Sequence, residues 1–267
     1  MIILIFFGLG LIIGSFLNVV VYRLEVMESI LGRSHCTHCH KQIRWYDNVP
    51  LFSFLILKAR CRDCQGRISW QYPLLEFFTG AVFAVTAYCF FDPLVVASWT
   101  ATAFYLVSFA VLLVIIAYDL KNMEIPMLIL WIGVLVAVVY FLFADAQSFR
   151  SIQGIRSSFV YSGAAGGLAA FVFLFSLVFF SKEKWMGMGD AYLGIFIGLL
   201  VGWPLVLVSL MLAFTFGAVV GLGLIAAKKK GFKSQIPFAP FLASGAMAVI
   251  LLAQQFPELK NYLSFIL

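Results

Sequence analysis

Apolar runs of about twenty residues, rich in phenylalanine and almost free of charge, recur from one end of this chain to the other, and no other feature restricts its fold as strongly. Each run is long enough for a helix to cross a hydrocarbon layer of about 30 Å, where backbone polar groups must be satisfied within the segment itself. With 63% hydrophobic and 11% charged residues, the chain has too few polar groups to cover a water-facing surface. The runs predict an all-α polytopic membrane protein with about eight transmembrane helices, at 2–22, 73–91, 94–118, 126–143, 159–180, 190–202, 204–227 and 237–256. The first run has no basic residue before it, is apolar from Ile2 to Val21 and is followed by Arg23, so it reads as a retained helix rather than a cleaved signal peptide.

A net charge of +6 raises the question of nucleic acid, but the positions of the basic residues point to orientation instead. All but Arg150, Arg156 and Lys260 fall in alternate loops: 23–72, Lys121, Lys182 with Lys184, and the cluster Lys228, Lys229, Lys230 and Lys233. By the positive-inside rule those loops face the cytoplasm and the amino terminus lies outside. The run 190–202 covers only about 20 Å as a helix, yet basic loops flank 190–227 on both sides, so the stretch crosses an even number of times. A hairpin turning at Gly202-Trp203-Pro204, with one short tilted helix, satisfies both facts.

Residues 23–72 form the one stretch long and polar enough for a small soluble domain, and they hold Cys36-Thr-His-Cys39 and Cys61-Arg-Asp-Cys64. Paired C-x-x-C units at this separation predict a tetrahedral zinc site, because each two-residue gap turns both thiolates of a knuckle toward one ion. So few large apolar groups would hardly fold otherwise, which makes the metal structural. Disulfides or free thiols are the alternative, disfavoured in a reducing compartment. His35, His38 and His40 flank the first knuckle and read as solvated neighbours of a complete four-thiolate shell, and Cys89 as a packed core thiol. The predicted organisation is a first transmembrane helix (1–22), a cytoplasmic four-cysteine domain (23–72) and a transmembrane domain (73–267).

The carboxylates at or inside span ends are Glu76, Asp92, Asp119, Glu124 and Asp190. Such groups are costly there unless function requires them. Asp92, before Pro93, reads as a turn residue, and Glu76 as either a first-turn dipole partner or a functional group. Asp119 closes the third span and Asp190 opens the sixth, so both occupy the cytoplasmic level. Gly194, Gly198 and Gly202 follow Asp190 at steps of four on one helix face, which permits close approach of a neighbour; the expected neighbour is the helix carrying Asp119. Two carboxylates in contact share a proton, so one can activate a water while its protonated partner polarises a carbonyl and then serves the leaving amine. That is the chemistry of an aspartic endopeptidase; simple helix capping is the alternative for each residue.

In this setting the sequence resembles the prepilin peptidases, membrane aspartic proteases of type IV pilus and type II secretion systems. The resemblance is carried by Gly14-Ser-Phe-Leu-Asn-Val-Val-Val-Tyr-Arg23, the paired knuckles with Tyr46-Asp-Asn-Val-Pro50 between them, Tyr72-Pro-Leu-Leu-Glu76, the blocks around Asp119 and Gly187-Met-Gly-Asp190, and Ile236-Pro-Phe-Ala-Pro-Phe241. It implies a bacterial cytoplasmic-membrane enzyme that uses Asp119 and Asp190 to cleave the basic leader from type IV pilin or pseudopilin precursors after a glycine. It also implies N-methylation of the new amino terminus from S-adenosylmethionine, an activity associated with the cysteine domain. Four positions depart from the family pattern. Thr37 stands where proline is common and Ala59 where glycine is common, and alanine would be strained by a positive φ. Tyr192 stands where lysine follows the second aspartate, and Met127 where an acid follows Ile125-Pro126. The rival readings are a transporter or channel with intramembrane carboxylates, which needs a polar route to the outer face that these spans scarcely offer, and a membrane-anchored zinc module.

Overall fold

A computed structural model describes residues 1–148, 159–227 and 236–256. Arg150, Arg156, Lys228, Lys229, Lys230, Lys233 and Lys260, used above for orientation, lie outside the described residues. Helices account for the apolar runs: α1 (Ile2–Glu25), α2 (Phe52–Ile56), α3 (Gln71–Phe90), α4 (Val96–Asn122), α5 (Met127–Ser148), α6 (Phe159–Ser181), α7 (Met188–Val201), α8 (Leu205–Ala226) and α9 (Ala239–Ala253). Six of these are long and apolar enough to cross a membrane. The short seventh helix expected at 190–202 is present, and the turn at 202–204 separates it from α8. The run 237–256 also yields a short helix, α9, of 15 residues. The chain separates into two compact units, Met1–Thr102 and Ala103–Leu267.

In the first unit α1 and α3 run antiparallel along a seam set by small residues four apart. A Cβ at Gly10 would lie 2.7 Å from the Gly80 Cα, and one at Gly14 would lie 2.7 Å from the Glu76 Cα. One turn further on, the buried Asn18 donates from Nδ2 to the Tyr72 carbonyl at 3.0 Å. In lipid there is no hydrophobic drive between helices, so close backbone contact and such hydrogen bonds hold the pair. Glu76 lies beyond the first turn of α3, so the dipole reading fails there; its buried carboxylate accepts from the Leu51 N–H at 2.8 Å. At the end of α1 the buried Arg23 donates to the carbonyls of Ser29, Ile30, Gly32 and Arg33, pinning the chain that leads to the cysteines. Asp92 does serve a turn, accepting from the Leu94 N–H at 2.9 Å. Cys89 is half-buried on the flank of α3 rather than packed in the core.

The segment between α1 and α3 is built from two hairpins with the same hydrogen bonds. Cys36 N–H donates to the Lys41 carbonyl and Cys61 N–H to the Gly66 carbonyl, both at 2.9 Å. Ile43 N–H donates to the Ser34 carbonyl at 2.9 Å and Ile68 N–H to the Ala59 carbonyl at 2.8 Å. Each hairpin turns through a left-handed residue after its second cysteine, His40 (φ 55) and Gln65 (φ 57). Bridges pair His35 with Gln42 and Arg60 with Arg67. Arg62 joins the second hairpin to the intervening turn by a bidentate pair with Asp47, at 2.7 and 2.9 Å, and that hydrogen bond holds the Asp47 carboxyl below its ordinary range.

In the second unit the glycine row of α7 packs on α6, not on the helix that carries Asp119. Gly198 meets the backbone of Gly166, a Cβ at Gly166 would lie 3.1 Å from the Gly202 Cα, and a Cβ at Gly194 would lie 2.7 Å from Leu174 Cδ1. The expectation failed because α6 has its own small-residue face, Gly163, Gly166, Gly167 and Ala170, which accepts that row more closely than any branched surface can. A single glycine links α4, α5 and α7 instead. At Gly133 a Cβ would lie 2.8 Å from Phe196 Cζ and 2.9 Å from Val111 Cγ1. Asp145, which the sequence reading passed over, accepts from the Val160 N–H at 3.1 Å at the start of α6.

Two substitutions test this packing. Gly198→Ala places a methyl group against the Gly166 backbone and is expected to lower stability by about 1–3 kcal/mol, read as thermal unfolding in detergent. Gly8→Ala, whose Cβ meets nothing within 4 Å among the described residues, leaves the midpoint in place. Ala59 sits at φ 57, a conformation alanine adopts at a cost, so Ala59→Gly should stabilise the cysteine segment by about 1 kcal/mol against chelator-induced unfolding.

Candidate active site and thiolate cluster

Asp119 lies in the last turn of α4 and is 5% exposed. Its carboxylate accepts the backbone N–H of Ala239, the first residue of α9, while Oδ2 has no hydrogen-bond partner among the described residues. The free amides at a helix start, with the positive end of the helix dipole, suit a carboxylate. A buried carboxylate oxygen without a partner calls for an explanation. Pro240 follows directly, at a position where a missing N–H leaves no helical bond unmade.

Asp190 is the third residue of α7, and its carboxylate reaches back to the N–H of Gly187, the residue that caps that helix. That is the direction taken by the return half of a capping box. The two carboxylates stand close enough for their charges to interact. The linker after α4 contributes to this: Ile125 packs over the start of α7, where a Cβ at Gly189 would lie 3.3 Å from the Ile125 Cβ. Larger residues at 189 would push the two helix ends apart.

Ala239 is the participant that sequence reasoning missed. A backbone amide has no side-chain signature, and the one clue was the Ile236-Pro-Phe-Ala-Pro-Phe241 block, whose prolines mark a helix start. Tyr192 fills its place without charge: its ring lies 6.0 Å from that of Trp131 and 6.1 Å from that of Phe171, within an aromatic layer of α5, α6 and α7.

The four cysteine sulfurs of Cys36, Cys39, Cys61 and Cys64 all lie within 4.8 Å of one another. Cys36 and Cys64, from different hairpins, are 3.8 Å apart at sulfur. That is too long for a disulfide and close to the edge of a tetrahedron with metal–sulfur bonds of about 2.3 Å, so the cluster is compatible with structural zinc. The histidines stay outside it. His38 Nε2 lies 3.3 Å from the Arg67 carbonyl and His35 Nε2 lies 3.7 Å from the Glu28 carboxylate.

The profile of the Bacterial Peptidase A24 N-terminal domain matches residues 9–90, and that of the Type IV leader peptidase family matches residues 106–252. A "Prepilin leader peptidase/N-methyltransferase" of Stutzerimonas stutzeri is 29% identical, over 96% of this chain and 92% of its own length. A "Type 4 prepilin-like proteins leader peptide-processing enzyme" of Escherichia coli O78:H11 (strain H10407 / ETEC) is 32% identical, over 92% of this chain and 93% of its own. A Myxococcus xanthus (strain DK1622) "Prepilin leader peptidase/N-methyltransferase" reaches 36% over 81% of this chain and 61% of its own. No solved structure matches. With the second profile covering more than half of the chain, and the Escherichia coli relative aligned along nearly all of it, this multi-pass membrane protein belongs to the Type IV leader peptidase family.

Proposed function

We propose that the chain is an endopeptidase that removes the leader from type IV pilin-like precursors, with Asp119 and Asp190 as its catalytic residues. The observation that carries this reading is that the charges of two helix-end carboxylates interact, with one buried oxygen of Asp119 unpartnered among the described residues. One carboxylate takes a proton from a water lying between the pair, and the hydroxide formed adds to the scissile carbonyl carbon. The other, protonated, hydrogen-bonds the carbonyl oxygen as charge develops there and gives its proton to the leaving amine as the C–N bond breaks, so the pair again shares one proton. No covalent intermediate forms.

The exposed basic residues between α1 and α3 support a cytoplasmic position for that segment in a bacterial inner membrane, with the amino terminus outside and the aspartates at the cytoplasmic face. A precursor's basic leader would then approach from the cytoplasm with its apolar helix in the bilayer. Cys36, Cys39, Cys61 and Cys64 would hold zinc, which locks the two hairpins together. The relatives' names extend the reading to N-methylation of the new amino terminus, for which S-adenosylmethionine is the donor, with residues 23–72 as the associated domain and 73–267 as the peptidase domain.

Asp119→Asn and Asp190→Asn should each abolish processing of a co-expressed pilin precursor while the protein stays folded; cleavage retained by both would contradict the dyad. Cys36→Ser should lower zinc content and, with leader removal intact, leave the mature pilin without its added methyl group by mass measurement. Unchanged zinc would count against the four-thiolate site, and unchanged methylation against the role given to this domain.

A further inference from the structure

The turn of helix α2 presents its apolar side outward. Ser53 and Phe54 are buried, with Phe54 against Trp70 at 4.9 Å between ring centroids, whereas Phe52, Leu55 and Ile56 are 63%, 68% and 72% exposed. Their spacing of three and four puts the exposed residues on one face. A contiguous apolar face of this kind marks a binding surface rather than a solvated one.

The depth of this face follows from one hydrogen bond. Leu51, which precedes α2 and holds a left-handed backbone (φ 60), donates its N–H to Glu76 at 2.8 Å. Glu76 lies about 7 Å along α3 from Gln71, at the helical rise per residue. The same residue packs on Gly14, where a Cβ would lie 2.7 Å from the Glu76 Cα, about 16 Å inside the Glu25 end of α1. Both helices are long and apolar enough to cross a membrane. The start of α2 is therefore fixed below the ends of two helices long enough to span. Beyond α2 the chain turns basic, with exposed Lys58, Arg60 and Arg62, and it has no acid between Asp47 and Asp63. Trp70, 67% exposed, stands at the entry of α3 as interfacial tryptophans do.

We propose that α2 is an interfacial anchor: Phe52, Leu55 and Ile56 insert into the anionic leaflet, and Lys58 and Arg60 engage its phosphates. The anchor fixes the height of the cysteine segment at the membrane. Its occupant is lipid rather than a basic leader, which the same cations would repel. The proposal rests on the membrane reading of the chain and not on its peptidase activity.

The test places p-benzoylphenylalanine at Leu55 of the full chain in vesicles of phosphatidylethanolamine and phosphatidylglycerol, with Lys41 as the water-facing control. Irradiation should give phospholipid adducts at 55 and none at 41, with zinc content unchanged by either label. No lipid adduct at 55, equal adducts at both positions, or adducts to a co-reconstituted pilin precursor in place of lipid would each overturn the proposal. Lys58→Glu combined with Arg60→Glu should cut the adduct at 55 severalfold in these vesicles and not in phosphatidylcholine; an equal loss in both would refute the electrostatic part.

Discussion

Backbone contact through missing side chains is what the rest of this structure depends on. In lipid, helices gain nothing from hiding apolar surface, so they hold together where backbones approach closely. Gly10 and Gly14 let α1 and α3 meet, and Gly166 and Gly198 do the same for α6 and α7. Gly133 lets Val111 of α4 and Phe196 of α7 close on α5. The first two seams place polar groups that would otherwise be costly at that depth: Asn18 and Glu76 in the first, the start of α7 with Asp190 in the second.

The carboxylates are accommodated by a common device. Asp119 accepts an amide at the start of α9, Asp190 accepts one at the start of α7, and Glu76 accepts the Leu51 amide. A backbone N–H supplies a hydrogen bond without a compensating charge, so the acid stays available for proton transfer. A lysine or arginine partner would hold the carboxylate as a permanent anion. The pair Asp47–Arg62, outside the membrane-spanning helices, shows that other arrangement in the same chain.

Much of this was legible in the sequence, and the failures have physical causes. Helix positions followed from apolar runs and the thiolate cluster from C-x-x-C spacing, and the cost of acids at membrane depth singled out Asp119 and Asp190 as candidates. The glycine row of α7 was identified, but its partner was not. Periodicity gives the face of one helix, whereas the choice of neighbour depends on small residues elsewhere, here Gly163, Gly166 and Gly167 of α6. Glu76 was misplaced because α3 begins at Gln71, ahead of Pro73, rather than at the proline. Ala59 was read correctly as a position of strain: its φ is 57, the value that a glycine would adopt freely. Ala239 had no side-chain signal at all.

The central claim is that Asp119 and Asp190 act as one unit holding a single proton, and the pH dependence of kcat/KM tests it most directly. For the reconstituted enzyme cleaving a pilin precursor, the account predicts a bell with two limbs, one for loss of the base and one for loss of the acid. A profile with a single ionisation, or none across the range where the protein stays folded, would contradict it.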